Sequence, residues 1–176
     1  MVNRYFVLRP FVLMFAALSC AQVTMAQGPH KFPLTDFENR LCRGKGRMQD
    51  CNNPVVRQVL AGGAGSIPVL ISQLTETGRT KEPVEDFWDY TSSGDIAFMM
   101  LNDLFTDKDG KTITIRGVPD WATVMTGCSG SAETCWRLYV HKHGILSIQR
   151  DWQSTWESNQ SHVSWDSSAQ YFRLAN

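Results

Sequence analysis

Apolar residues are densest between Ser93 and Phe105, where the run S-G-D-I-A-F-M-M-L-N-D-L-F predicts a helix buried over most of its surface. Ile96, Ala97, Met100, Leu101 and Leu104 recur at helical spacing, and Phe98, Met99 and Phe105 widen the apolar surface beyond one stripe. Ser92 or Ser93 can cap the first turn by accepting an amide hydrogen, and Asp95 puts negative charge at the positive end of the helix dipole. Within the run, Asp95, Asn102 and Asp103 are expected to face water. A helix this apolar has to be wrapped by others, so the pattern predicts a mainly all-α, compact single-domain helical bundle over residues 35–176.

The other elements are read around that helix. Gln27 to Leu34 shows no periodicity, and Gly28, Pro29 and Pro33 predict a mobile leader. Thr35 followed by Glu38 has the capping-box spacing and opens a first helix expected to reach about Cys42. Asn53-Pro54 opens a second, with Val55, Val56, Val59 and Leu60 on its apolar face and Gly62-Gly63 as its stop. Ser66 is the expected cap of a third, whose Ile67, Leu70, Ile71 and Leu74 make one apolar face. Beyond the central helix, Thr106 to Lys111 reads as a turn, and Thr112-Ile113-Thr114-Ile115 alternates as a short β element near 112–115. Pro119-Asp120-Trp121 opens a short helix ending before Gly127. Ser131 caps another that continues from Cys135 to about His143, and Gly144 breaks it. Ile145, Ile148, Trp152 and Trp156 then lay an aromatic stripe on a last helix, expected in the core. The polar tail from Ser158, with Trp165, Tyr171 and Phe172, reads as an irregular cover.

The stretch S-I-P-V-L-I-S-Q-L-T-E, Ser66 to Glu76, followed by G-D-I-A-F-M-M-L-N-D-L-F, Gly94 to Phe105, resembles one HEAT-type helical hairpin. In such a hairpin a Pro-containing first helix packs on an alanine-bearing second. The resemblance implies that pairing and a binding surface, and no catalytic residues. The chain as a whole also resembles small exported bacterial proteins to which no activity is assigned.

Targeting and cysteine usage change the picture more than bulk composition does. Arg4 and Arg9, the apolar run Phe11 to Leu18 and the small residues before Gln27 predict a signal peptide over residues 1–26, cut after Ala26. A lipoprotein reading would instead use Ala17-Leu18-Ser19-Cys20, with Cys20 lipidated. No later stretch reads as a membrane span. The chain carries 17 basic and 17 acidic residues, so losing Arg4 and Arg9 tips the charge to about −2. With no basic excess and no Lys/Arg stripe among aromatics, the sequence gives no footprint for nucleic acid. The remaining cysteines, Cys42, Cys51, Cys128 and Cys135, are even in number, as in exported disulfide-bonded domains. Short local pairs, Cys42–Cys51 and Cys128–Cys135, are the favoured connectivity, because each closes a loop rich in Gly, Asn or Ser. A zinc site is disfavoured, since neither pair has the tight spacing of zinc ligands.

Candidate chemistry is sparse. The loop Arg43-Gly44-Lys45-Gly46-Arg47 lacks the spacing of a phosphate-binding loop and reads as a solvated turn inside the first disulfide. Asp107-Lys108-Asp109-Gly110 lacks the spacing of a calcium loop. His141 and His143, two apart on a helix, point to different faces, so no metal site and no cofactor is predicted. The long connection Thr77 to Ser93 stands out, because it gathers Glu82, Glu85, Asp86 and Asp89 around Phe87, Trp88 and Tyr90. Two readings stand. Glu85, Asp86, Phe87, Trp88, Asp89 and Tyr90 form a partner-binding loop with aromatic anchors and an acidic rim, or the aromatics fold back over the core and leave the acids in water. The favoured function is a non-catalytic exported or periplasmic protein that acts on another protein, as an inhibitor, an immunity-type protein or a scaffold. The alternative is a glycan-active hydrolase that uses the loop carboxylates as acid and base, with Trp88 as a sugar platform.

Overall fold

The computed structural model describes residues 30–84, 91–109, 111, 113 and 119–174. Three short 3-10 turns, Leu34–Asp36, Asn39–Leu41 and Met48–Asp50, lead into α1 (Pro54–Gly62) and α2 (Ser66–Gln73). Then follow α3 (Ser93–Leu104), α4 (Trp121–Met125), α5 (Ala132–His143) and α6 (Ile145–Asn159). A hairpin of β1 (Val163–Asp166) and β2 (Tyr171–Leu174) sets Trp165 opposite Phe172. The architecture is mainly helical, and its buried apolar residues form one contiguous cluster.

At the centre lies α3, with Ile96, Ala97, Phe98 and Leu101 fully buried. Its start is a complete capping box. Ser92 Oγ accepts from the Asp95 amide at 3.2 Å, and the Asp95 carboxylate accepts from the Ser92 amide at 2.7 Å. The other Asp95 oxygen accepts from Trp136 Nε1 at 2.6 Å, so the cap also anchors α5. Phe98 stacks on Trp136 at 3.8 Å and meets the edge of Trp121 at 5.1 Å. The approach of α2 is so close that a Cβ on Gly94 would stand 2.4 Å from the Leu74 carbonyl oxygen. On the other side of α2, α6 lowers Ile148, Trp152 and Trp156 into the core, and Gln149 Nε2 donates to the Ile71 carbonyl at 2.8 Å. The same amide also donates to the Ser72 carbonyl at 3.2 Å, one of the carbonyls in the last turn of α2 that lack a helical partner.

Caps decide the helix boundaries. Asn53 accepts from the Val55 amide at 3.0 Å with Pro54 at the first helical position, Asp120 caps α4 and Ser131 caps α5. Gly63, at φ +50°, ends α1. The two short helices expected from the sequence are kept, but with the 3-10 turn Gly63–Gly65 between them they run on so closely that Pro54–Gln73 has the length and apolarity of a bilayer span, where the sequence reading expected none. Half of that stretch is buried inside the fold, as in a core element.

Several other expectations are corrected. Thr35 to Cys42 is not one helix: two 3-10 turns bend the chain so that Leu34 and Phe37 both reach the core. The expected leader is docked from Phe32 onward, where its amide donates to Gln73 Oε1 and its carbonyl accepts from Gln73 Nε2, both at 2.9 Å. Ser66 does not cap α2; its hydroxyl donates to the Val59 carbonyl at 2.6 Å and ties the two helices together. The tail is a hairpin rather than irregular cover. Asp166 Oδ1 accepts from the Ser168 and Ala169 amides at 3.0 and 2.9 Å and so builds the turn, while Phe172 is fully buried and stacks on Phe105 at 4.8 Å. Of the β element expected near 112–115, only Ile113 is described, and its amide donates to the Phe105 carbonyl at 2.7 Å.

Candidate functional site

A groove of about 620 Å³ runs between the first disulfide loop and the ends of α3 and α4. The loop exists because Cys42 bonds to Cys51, with Cα atoms 4.7 Å apart, as the short-loop pairing predicts. It contributes Lys45, Arg47 and Met48 to the groove. Met99 and Asp103, one turn apart on α3, supply the next side, and Trp121 and Met125 of α4 close it.

The electrostatics concentrate where the loop meets α3. Asp103 Oδ2 accepts from the Met48 amide at 2.7 Å, and the Asp103 backbone carbonyl accepts from the Gln49 side chain, so α3 holds both ends of one 3-10 turn. Burial pushes the Asp103 carboxyl up to about 6; the Met48 hydrogen bond and the Arg47 charge pull it down, and Asp50 adds a smaller upward push. Arg47 is only 16% exposed; Nη2 pairs with Asp50 at 3.2 Å, while Nη1 is shut off from water with no acceptor among the described residues. The turn of Arg43 to Arg47 is therefore not fully solvated: residues 43–46 are exposed, but Arg47 folds inward.

A second groove, about 650 Å³, lies along the Cys128–Cys135 disulfide, whose Cα atoms are 5.7 Å apart. It presents Leu138, Tyr139 and His143, the two rings stacked at 4.3 Å. Burial, then Asp151 and Asp120, raise the Tyr139 phenol. The Asp103 groove is the stronger candidate, because it alone brings a half-buried carboxylate and a half-buried guanidinium to an apolar surface.

Glu85, Asp86, Phe87, Trp88, Asp89 and Tyr90 lie outside the described residues. Their flanks are fixed. Val84, 2% exposed, lines the first groove, and Thr91 is buried. The Thr80 amide donates to the Thr91 carbonyl at 3.2 Å and Arg79 bridges Ser92, so the connection returns beside the point where it left. Glu82, the one described carboxylate of the hydrolase reading, pairs with Arg40 at 3.4 Å and accepts the Arg40 amide at 3.3 Å. With its oxygens so engaged it is placed as a structural ion pair. His141 and His143 are exposed on α5, and among the described residues no three His, Cys, Asp or Glu side chains are close enough to hold a metal ion.

Sequence reasoning missed Arg47, Asp103 and Trp121 as site residues. Met99 and Asp103 do share a helix face at i, i+4. No local signal marks the meeting of Met48 and Asp103 across 55 residues. Comparison of the chain with protein-family models, with curated proteins and with solved structures found no match.

Proposed function

We propose that this chain is an exported, non-catalytic helical protein, cut after Ala26, that works by binding another protein at the mouth of the Asp103 groove. The observation that carries this reading is the convergence of three features at one place. The groove is open and largely apolar, its cationic edge is stapled by a disulfide, and the acidic-aromatic connection departs from its lining residue Val84. Two disulfides fit an oxidising compartment, in keeping with export. The α2–α3 pair that resembles a HEAT hairpin serves as the rigid frame, and Phe87, Trp88 and Tyr90 are the aromatic anchors of this reading.

Photo-crosslinking from position 88 in the producing cell tests the reading, with an exposed site on α6, Ser154, as control. A discrete protein adduct from position 88 and none from position 154 supports it. An absence of protein adducts, or glycan turnover that Glu85→Gln abolishes, overturns it, and the second result would install the hydrolase reading.

A further inference from the structure

We propose that the Asp103 groove binds an extended acidic segment of the partner protein, seating one of its apolar side chains on the groove's methionines and its carboxylates along the exposed Arg43 and Lys45. This rests on the protein-binding reading above and names the chemistry of the segment recognised.

Three observations carry it. Of the four methionines beyond residue 26, Met48, Met99 and Met125 line this groove, and only Met100 does not. Methionine is unbranched and polarizable, and surfaces rich in it accept varied apolar side chains. The edge above them is cationic and open: Arg43 and Lys45 are exposed, and a Cβ built on Gly44 or Gly46 would meet nothing within 4 Å, so a ligand chain can lie against that backbone. Finally, the acids already present are committed. Asp50 pairs with Arg47, and Asp103 accepts the Met48 amide, so among the described residues no carboxylate pairs with the exposed Arg43 or Lys45. A basic segment would meet those cations as like charges, whereas carboxylates complement them.

The groups facing Asp103 are Arg47 and Asp50 on the loop. Ionised Asp103 opposes an incoming carboxylate, so an acidic segment binds more tightly as Asp103 takes up its proton.

The test uses the mature protein and two fluorescein-labelled peptides, one alternating Asp with Leu and Phe and one with Lys in place of each Asp, read by fluorescence anisotropy. Saturable binding of the acidic peptide alone, weakened at least about tenfold by Lys45→Glu, supports the proposal. So does tightening between pH 7.5 and 5.5 that Asp103→Asn removes. Equal binding of both peptides, no binding of either, or indifference to Lys45→Glu overturns it; a melting curve confirms that this exposed-loop variant is folded. If the acidic peptide fails while position 88 still crosslinks to a protein, the groove assignment falls alone. If both fail, the protein-binding reading falls with it.

Discussion

Replacing Asp103 by asparagine should make the protein more stable at neutral pH and should abolish one component of its pH dependence. The Asp103 carboxyl rises from 3.8 to about 6 on folding, with burial as the chief cause. A raised acid binds its proton more tightly in the folded state, so its stabilising contribution is complete below about pH 3.8 and is lost as pH climbs through 6. Each unit is about 1.4 kcal/mol, so ionised Asp103 costs the fold about 3 kcal/mol above pH 6 as an upper figure. Asparagine keeps an oxygen to accept the Met48 amide, now 2.7 Å from Oδ2, and carries no charge to desolvate. The new amide adds a pH-independent offset of about 1 kcal/mol if it finds no acceptor. Urea unfolding followed by tryptophan fluorescence, at constant ionic strength from pH 4 to 8, should show variant and wild type converging at the acid end. At pH 7.5 the curves should stand up to about 3 kcal/mol apart, or roughly 6–12 °C in Tm. Curves that stay parallel across this range would refute the buried-carboxylate account.

Other perturbations test the frame. In open space Gly94→Ala would favour a helix by up to about 1 kcal/mol; here the new Cβ would stand 2.4 Å from one backbone carbonyl and 2.9 Å from another, so the sign reverses. A loss of about 2–3 kcal/mol is expected as a lowered urea midpoint with unchanged slope. Asn102→Leu keeps the volume but removes the acceptor of the Trp121 amide and the donor to the Phe98 carbonyl, both at 2.9 Å. It should cost about 1–3 kcal/mol and speed hydrogen exchange at the start of α4.

The helices were legible where period and caps agree. Asn53-Pro54, Asp120 and Ser131 mark helix starts that the structure keeps, and the stripe from Ile148 to Trp156 is core, because a cap acts within a few residues and an apolar face within a turn or two. The two local disulfides were legible for the same reason, since each closes a short loop. The misreadings share a different cause. Thr35 to Cys42 has local capping chemistry, but the demand that Leu34 and Phe37 both reach the core divides it into two turns. The hairpin of Val163 to Leu174 gains stability from Phe172 on Phe105, a contact invisible within either segment.

What the sequence by itself determined is therefore the helical frame, its caps and its staples, all of which depend on neighbours close along the chain. Only the tertiary structure decided the candidate site. Asn102 and Asp103 look like water-facing residues in a linear reading. They become a buried anchor and a proton-hungry carboxylate because α4 and the disulfide loop, remote in sequence, close over them and take away the water.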